Sequence, residues 1–171
     1  PTSRNTMTYL RYAEALNRAG YPQSAFLILK HGMCYDNLVV YVDSVERAAA
    51  AELVDFDANI FPKDHTFGIH SRGSGDSHIN EYYTLPMPTD SLATRQDTID
   101  YQIPLVEDMI IDEMALEGAF EGYRYYDLMR VALRRNDASY LAAPISRRNG
   151  EEDAALRAKL EDTSNWYLPL P

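Results

Sequence analysis

The sequence predicts a mostly α-helical protein with one long irregular excursion. The clearest helical pattern runs from Asp108 to Arg135, where apolar residues keep close to helical spacing with no interior proline. A second pattern, near the amino terminus, gives two short helices separated by Tyr21-Pro22. Between about residues 56 and 100 the chain is instead rich in glycine, proline, serine and aspartate. We therefore expect residues 1–171 to form one helical domain with a loop-rich excursion.

The composition argues against several classes of protein. The 171 residues are 46% apolar and 25% charged, which is ordinary for a soluble globular domain. A net charge of −10 argues against a nucleic-acid surface, because phosphate binding depends on clustered lysine and arginine. No apolar run reaches membrane-spanning length, so we expect no transmembrane segment in this chain. Cys34 is the single cysteine, which excludes an internal disulfide and indicates a small buried side chain.

The amino-terminal pattern predicts a helical hairpin. A helix starts near Thr6, and its apolar face is made by Tyr9, Tyr12, Ala13 and Leu16. Gly20 ends this helix, and Pro22 breaks the pattern after it. A second, shorter helix closes at Gly32, and its apolar residues are Ala25, Phe26 and Leu29.

The next two segments differ in how clearly they can be interpreted. The apolar run from Leu38 to Val42 fits either a strand or a buried helix, and periodicity does not separate the two. Asp43, with Glu46 three residues later, is typical of a helix N-cap. We expect an alanine-rich helix from there to about Val54, as part of the scaffold.

The excursion from about residue 56 to residue 100 is the candidate binding region. A loop of this length in a compact domain is usually functional or disordered. Its turn formers alternate with aromatic rings and hydrogen-bonding groups, and sugars require both, because their C–H faces stack on rings while their hydroxyls need polar partners. The candidate ligand-binding residues are Tyr82, Tyr83, His65, His70, Arg72 and Asp76. A structural role, or contact with a partner protein, is the alternative for the same residues.

Two other chemistries fit the excursion poorly. Its histidines, with Asp64 and Asp76, match no His-x-x-x-His or Glu-x-x-His spacing on a helix, so we expect no metal site. The stretch 71–76 has the glycines of a phosphate loop but lacks the Gly-Lys-Ser/Thr ending and a preceding strand. We expect no cofactor.

The pattern from Asp108 to Arg135 predicts one long helix, with Pro104 in its first turn and Gly122 as the place for a kink. Gly118 and Gly122 predict a bare patch that a neighbouring backbone can approach. Three carboxylates four residues apart are expected to stack on one face: Glu113, Glu117 and Glu121. A structural charge network is expected from Glu121, Arg124, Asp127 and Arg130.

These carboxylates are also the right residue types for a glycosidase pair, whose two carboxyl groups lie about 5.5 Å or 6.5–9.5 Å apart. Residues stacked along one helix share a wall, however, and do not face each other across a substrate. We therefore predict no catalytic residue and no enzyme activity.

The carboxy-terminal part is predicted to contain two turns and one more helix. Asn136-Asp137 and Asn149-Gly150 are turn signals, and Tyr140 to Ile145 is expected to be irregular around Pro144. Glu151 to Glu161 predicts an amphipathic helix with acidic residues at its start. Trp166, the only tryptophan, either stacks on a sugar or anchors the terminus to the body of the protein.

Several stretches resemble the SusD/RagB family of surface glycan-binding lipoproteins. The run from Glu117 to Arg130, Glu-Gly-Ala-Phe-Glu-Gly-Tyr-Arg-Tyr-Tyr-Asp-Leu-Met-Arg, is similar to the signature near the carboxy-terminal end of that family. The closing segment 166–171 resembles the family's Pro-Ile-Pro ending. Gly118 and Met114 depart from the pattern, which usually has leucine and arginine there. The stretch 13–20 resembles half of a tetratricopeptide-type unit, which family members place in this position.

The resemblance implies a SusD-like fold with tetratricopeptide-type helical hairpins. It also implies a surface-exposed outer-membrane protein that captures an oligosaccharide or polysaccharide and passes it to a SusC-like TonB-dependent transporter. Family members are several hundred residues long and carry an amino-terminal lipid, so the resemblance implies a carboxy-terminal part without that anchor. The alternative is a helical protein–protein interaction module that contacts the transporter and has no sugar site of its own.

Overall fold

A computed structural model describes residues 5–63, 68–69, 83–90 and 94–167. Over these ranges the chain forms eight α-helices and no strand, which confirms the predicted mostly α-helical fold. In chain order the helices are α1 Asn5–Arg18, α2 Pro22–Lys30, α3 Tyr35–Tyr41, α4 Ser44–Ala49, α5 Arg95–Glu117, α6 Arg124–Arg135, α7 Ser139–Ser146 and α8 Ala154–Glu161. A short 3-10 helix, Thr163–Asn165, follows α8. The helices belong to two units, Pro1–Glu117 and Gly118–Pro171.

The predicted amino-terminal hairpin is confirmed by α1 and α2. Gly20 adopts a φ of +94°, a left-handed conformation that ends α1 at little steric cost because glycine has no Cβ. Pro22 then occupies the first position of α2, where its missing N–H costs no helical hydrogen bond. On α1, Ala13 and Leu16 are buried, whereas Tyr9 and Tyr12 of the same predicted face are half-buried. On α2, the consecutive residues 27–29 are fully buried.

The undecided run from Leu38 to Val42 belongs mainly to α3. Leu38 is buried, but Val39 and Val40 are exposed, so the run is a helix with one buried side and is neither a strand nor a fully buried helix. Cys34 is buried at the start of α3, where its Sγ accepts a hydrogen bond from the backbone N–H of Asn37 at 3.4 Å.

The predicted N-cap at Asp43 is confirmed. Its Oδ1 accepts hydrogen bonds from the backbone N–H groups of Val45 and Glu46, both at 2.9 Å. Helix α4 ends at Ala49, however, and not near Val54 as expected. Glu46 reaches in turn to the start of α2, where its Oε1 accepts from the backbone N–H of Ser24 at 2.7 Å. The carboxylate of Glu46, on α4, therefore caps the amino-terminal end of α2.

Helix α5 begins earlier than the sequence pattern predicts. Thr94 and Asp97 form a reciprocal capping box, in which Thr94 N–H donates to Asp97 Oδ2 at 2.9 Å and Asp97 N–H donates to Thr94 Oγ1 at 3.2 Å. Two expectations were wrong as a result. Residues 95–100 of the expected excursion are helical, and Pro104 lies inside the helix and not in its first turn.

The prediction of one helix from Asp108 to Arg135 was wrong, because residues 118–123 form a turn between α5 and α6. Phe120 and Gly122 have φ values of +67° and +80°, and left-handed residues cannot continue a right-handed helix. Glu121 lies exposed in this turn, so the expected stack of three carboxylates does not form. A Cβ added at Gly122 would meet nothing within 4 Å, so this glycine serves the turn and not a close backbone approach.

The unit Gly118–Pro171 is built from α6, α7 and α8. Asn136 ends α6 in a left-handed conformation, φ +51°, which confirms the predicted turn. The expectation of irregular structure from Tyr140 to Ile145 was wrong, because α7 passes through Pro144 and buries Leu141 and Ala142. Asp153 caps α8 by accepting from the backbone N–H of Leu156 at 2.9 Å, so this helix begins at Ala154 and not at Glu151 as expected.

Candidate functional site

An open groove in the unit Gly118–Pro171 is the candidate functional site. Its volume is about 510 Å³, within the usual range of small-molecule sites. We call it the aromatic groove, and it is lined by Gly122, Tyr125, Tyr126, Met129, Asn165, Trp166 and Tyr167. Four of these seven residues are aromatic, and none carries a formal charge at neutral pH.

Helix α6 supplies one wall of the groove. Tyr125 and Met129 are four residues apart and Tyr126 and Met129 three apart, so all three side chains fall on neighbouring positions of the helix surface. The rings of Tyr125 and Tyr126 meet edge to face, with centroids 5.8 Å apart and an interplanar angle of 89°. Gly122 lies just before α6, in the left-handed turn that starts it.

Trp166 also lines the groove and is held in place by two hydrogen bonds. The indole is only 3% exposed, and its Nε1 donates to the carbonyl of Leu160, at the end of α8, at 2.6 Å. The carbonyl of Trp166 accepts from the hydroxyl of Tyr125 at 2.9 Å. The tail is therefore tied to both α8 and α6, and the geometry matches the anchoring interpretation of Trp166 while leaving the residue in the groove lining.

The accessible rings of the groove are those of Tyr126 and Tyr167. They are 59% and 63% exposed, whereas Trp166 beside them is buried. Burial raises the pKa of the Tyr125 hydroxyl, and the neighbouring Tyr126 and Tyr167 raise it further. The Tyr125 hydroxyl thus stays protonated and able to donate across the physiological pH range. Asn165 adds an exposed amide, whose Nδ2 donates to the carbonyl of Lys159 at 3.0 Å.

Part of the predicted charge network lies behind the groove. Asp127 is 2% exposed and accepts a hydrogen bond from Arg130 Nε at 3.0 Å. Arg124 is the first residue of α6, and Glu121 lies in the preceding turn, where its backbone N–H donates to the carbonyl of Gly118 at 3.0 Å. The Asp127–Arg130 pair is an internal contact of α6 between residues three positions apart.

Tyr83 is the one predicted residue of the excursion that the structure describes. Its hydroxyl donates to Glu113 Oε2 at 2.5 Å, and its carbonyl accepts from Lys30 Nζ at 2.6 Å. Burial raises the pKa of the Tyr83 hydroxyl, and the hydrogen bond to Glu113 raises it further. The hydroxyl is thus already committed, although its role toward a sugar stays a prediction. The other candidates lie outside the described residues: His65, His70, Arg72, Asp76 and Tyr82.

The buried carboxylates of the first unit also have partners. Glu107 accepts from Arg18 Nε at 3.0 Å, and Arg18 forms a second ion pair with Glu14. Within the described ranges, no three His, Cys, Asp or Glu side chains come together as metal ligands would. Among the same residues, no helix is both long and apolar enough to cross a membrane.

Comparison with known families gives a clear result. The model of the SusD family matches residues 2–171, which is nearly the whole chain. The chain belongs to the SusD family. No curated protein and no solved structure matches it significantly. Membership in the SusD family implies glycan binding in nutrient uptake, and proteins of this family are generally non-catalytic and typically associated with the outer membrane.

Sequence reasoning placed the binding residues of this SusD-family protein mainly in the excursion and missed most of the aromatic groove. Of the groove residues it proposed only Trp166 as a sugar contact. A signal was present in two adjacent aromatic pairs, Tyr125-Tyr126 and Trp166-Tyr167. Both pairs lie within the stretches that resemble the family, and such adjacent aromatic rings are a residue pattern that suits stacking on sugars.

Proposed function

We propose that this SusD-family protein captures oligosaccharides at the outer surface of the cell, without cleaving them, for import through a SusC-like TonB-dependent transporter. Family membership supports glycan binding in nutrient uptake. The observation that carries the proposal for this chain is the aromatic groove. It combines exposed tyrosine rings with an amide at its edge in a volume of about 510 Å³.

The groove offers the two kinds of contact that sugars require. The rings of Tyr126 and Tyr167 provide flat faces for the C–H surface of a pyranose. Their hydroxyls and the Asn165 amide lie in exposed residues and offer hydrogen bonds to sugar hydroxyls. Both tyrosines are exposed before binding, so ordering each ring costs about 0.5–1.5 kcal/mol and affinity per site is modest.

Capture without cleavage fits the placement of the acidic groups. The described residues of the groove lining include no carboxylate, and a glycosidase typically needs two of them on either side of the scissile bond. Asp127, the acidic residue next to Tyr126, is buried and paired with Arg130. A reducing-sugar assay is therefore expected to show no release of reducing ends from any glycan that binds.

Intrinsic fluorescence tests the proposal directly, because Trp166 is the only tryptophan and lines the groove. Titration with a panel of soluble polysaccharides is expected to give a saturable change in emission for at least one of them. Tyr126→Ala should weaken that binding about 3- to 10-fold, the range expected for one stacking ring. Tyr123→Ala is the matched control, since Tyr123 is 49% exposed in the same unit and does not line the groove.

Binding that is unchanged by Tyr126→Ala would rule out the groove as the site. Saturable binding lost only on Tyr83→Ala would place the site in the excursion instead, as the sequence pattern suggested. Absence of binding to every member of the panel, with the chain folded by circular dichroism, would contradict glycan capture by this chain.

A second function, contact between the helical hairpins and the transporter, is favoured by the surface of α3. Tyr35, Val39 and Val40 are 55%, 44% and 69% exposed on this short helix. Exposed apolar side chains on one element favour a protein interface. Co-expression with a SusC-like transporter tests this function. Loss of co-purification on Val40→Asp, with retention on Tyr126→Ala, would separate it from sugar binding.

A further inference from the structure

We infer that the aromatic groove selects uncharged glycans, because the residues described in its lining carry no formal charge. This inference rests on the proposed function, since it names the class of sugar that the same groove would take. It excludes uronic acids and sulfated sugars as ligands of the groove.

The first reason is the chemistry of the lining. A sugar carboxylate or sulfate that leaves water needs charge-assisted hydrogen bonds, which arginine and lysine supply in protein sites. Among the residues that the structure describes, the groove presents tyrosine, tryptophan, methionine, asparagine and glycine and no cation. An anionic group placed there would lose hydration without gaining a charged partner.

The second reason is that two arginines of this unit, Arg130 and Arg157, already have anionic partners. Arg130 is 3.0 Å from the buried carboxylate of Asp127. Arg157 pairs with Glu152 and Glu161, each at 3.0 Å. Recruiting either arginine to an anionic sugar would break an existing pair, and for Arg130 it would leave a buried carboxylate without that partner.

The third reason is the distribution of charge between the two units. Gly118–Pro171 contains eight acidic and eight basic residues, so it is formally neutral, and the whole excess of −10 belongs to Pro1–Glu117. Neither unit therefore carries a net positive field that would raise the local concentration of an anionic polymer.

The remaining polar contacts favour recognition of a sugar face over recognition of a charge. The Tyr125 hydroxyl and the Trp166 indole N–H donate to backbone carbonyls, so neither is available as the main donor to a ligand. What remains accessible is the exposed ring area of Tyr126 and Tyr167 and, on the exposed Asn165, the amide hydrogen and oxygen beyond its bond to the Lys159 carbonyl. These groups suit uncharged pyranosides whose equatorial hydroxyls leave apolar C–H faces free to stack.

The test compares polymers that share a backbone and differ in charge. The probes are hydroxyethyl cellulose against carboxymethyl cellulose, dextran against carboxymethyl dextran, and galactomannan against carboxymethyl galactomannan, each titrated into the full chain with Trp166 emission as readout. For at least one pair the neutral polymer is expected to bind about tenfold or more tightly than its anionic counterpart. Equal or tighter binding of the anionic polymers would overturn the inference and leave glycan capture standing. Failure of all six probes to bind would overturn both.

Measurements at high salt distinguish selection by the groove from long-range electrostatic repulsion of anionic polymers by the acidic unit. At 1 M ionic strength the Debye length is about 3 Å, against about 8 Å at 0.15 M, so long-range repulsion is screened. The preference for neutral polymer is expected to persist at 1 M salt, because an unpartnered anion in the groove stays unfavourable. If the anionic polymers gain affinity until the preference disappears, the acidic unit is its source and the inference about the groove is wrong.

A gain of function completes the test. Met129→Arg adds a cation to the lining and is expected to strengthen binding of the carboxymethyl polymer about tenfold, the effect of one charge-assisted hydrogen bond. Leu133→Arg adds the same charge at an exposed site of α6 outside the lining. This control is expected to change the affinity for the carboxymethyl polymer little. Equal effects of the two folded variants would overturn the assignment of selectivity to the groove.

Discussion

Trp166 allows the most demanding test of how the groove is built. Its indole is 3% exposed and donates a hydrogen bond of 2.6 Å to the carbonyl of Leu160. Trp166→Ala removes both the packed ring and the donor, and buried Trp→Ala changes cost about 3–5 kcal/mol. Trp166→Phe keeps an aromatic ring but leaves the Leu160 carbonyl without that donor, which costs about 1–3 kcal/mol.

Hydrogen exchange followed by mass spectrometry on the full chain measures this change locally. A loss of about 3 kcal/mol corresponds to exchange that is more than about a hundredfold faster in peptides of the unit Gly118–Pro171. Tyr167→Ala is the matched control, because Tyr167 is the next residue and is 63% exposed, so its removal should change stability by less than about 0.5 kcal/mol. If these peptides exchange as slowly in Trp166→Ala as in Tyr167→Ala, the indole does not anchor the tail to the rest of the unit.

Three further predictions concern stability. Burial raises the pKa of the Glu46 carboxyl, and the hydrogen bonds from Ser24 only partly offset this effect. The protonated Glu46 therefore contributes to stability below about pH 4.5, and this contribution is lost as the pH rises through the higher folded-state pKa. The free energy of unfolding of the wild type relative to Glu46→Gln should therefore decline from pH 4.5 upward in urea denaturation, and a rising difference would contradict this sign. Tyr83→Phe should destabilise the chain by about 1–3 kcal/mol in the same assay, because the buried Glu113 loses a donor at 2.5 Å, and an unchanged midpoint would refute that role. Phe120→Gly should stabilise the chain by about 0.5–1 kcal/mol, because Phe120 is fully exposed at φ +67° and only glycine adopts this conformation freely. A lower thermal unfolding midpoint for the variant would show instead that the phenylalanine ring makes a favourable contact.

The parts of the fold that could be predicted from sequence are those determined by local signals. The N-cap at Asp43 and the turn at Asn136 depend on hydrogen bonds within a few residues, and both are present. The start of α5 also has a local signal, the Thr94-x-x-Asp97 capping box, but the polar residues around it resemble those of a loop. The break after Glu117 had none of comparable strength, because it depends on a left-handed phenylalanine at position 120.

The site was harder to predict because its contacts span long stretches of chain. The hydroxyl of Tyr83 pairs with Glu113, thirty residues away, and no pattern along the sequence reveals such a partner. The groove likewise depends on the hydrogen bond from Tyr125 to the carbonyl of Trp166, across 41 positions. The sequence indicated the residue types for sugar binding, but the pairing of α6 with the tail determines which aromatic rings come together.

That pairing connects the segment from Gly122 to Arg130 with the carboxy-terminal tail. Gly122 is needed for a turn at φ +80°, and the buried Asp127 is paired with Arg130 within α6. Together these fix where α6 begins and which side it buries, so that Tyr125 can donate to the tail at Trp166. A change at any of these positions is therefore expected to disturb the groove even though only three of the five residues line it. The contacts of Gly122, Asp127 and Arg130 within α6 and its preceding turn thus support the hydrogen bond that joins Tyr125 to the tail, and that bond brings the rings of α6 and the tail into one groove.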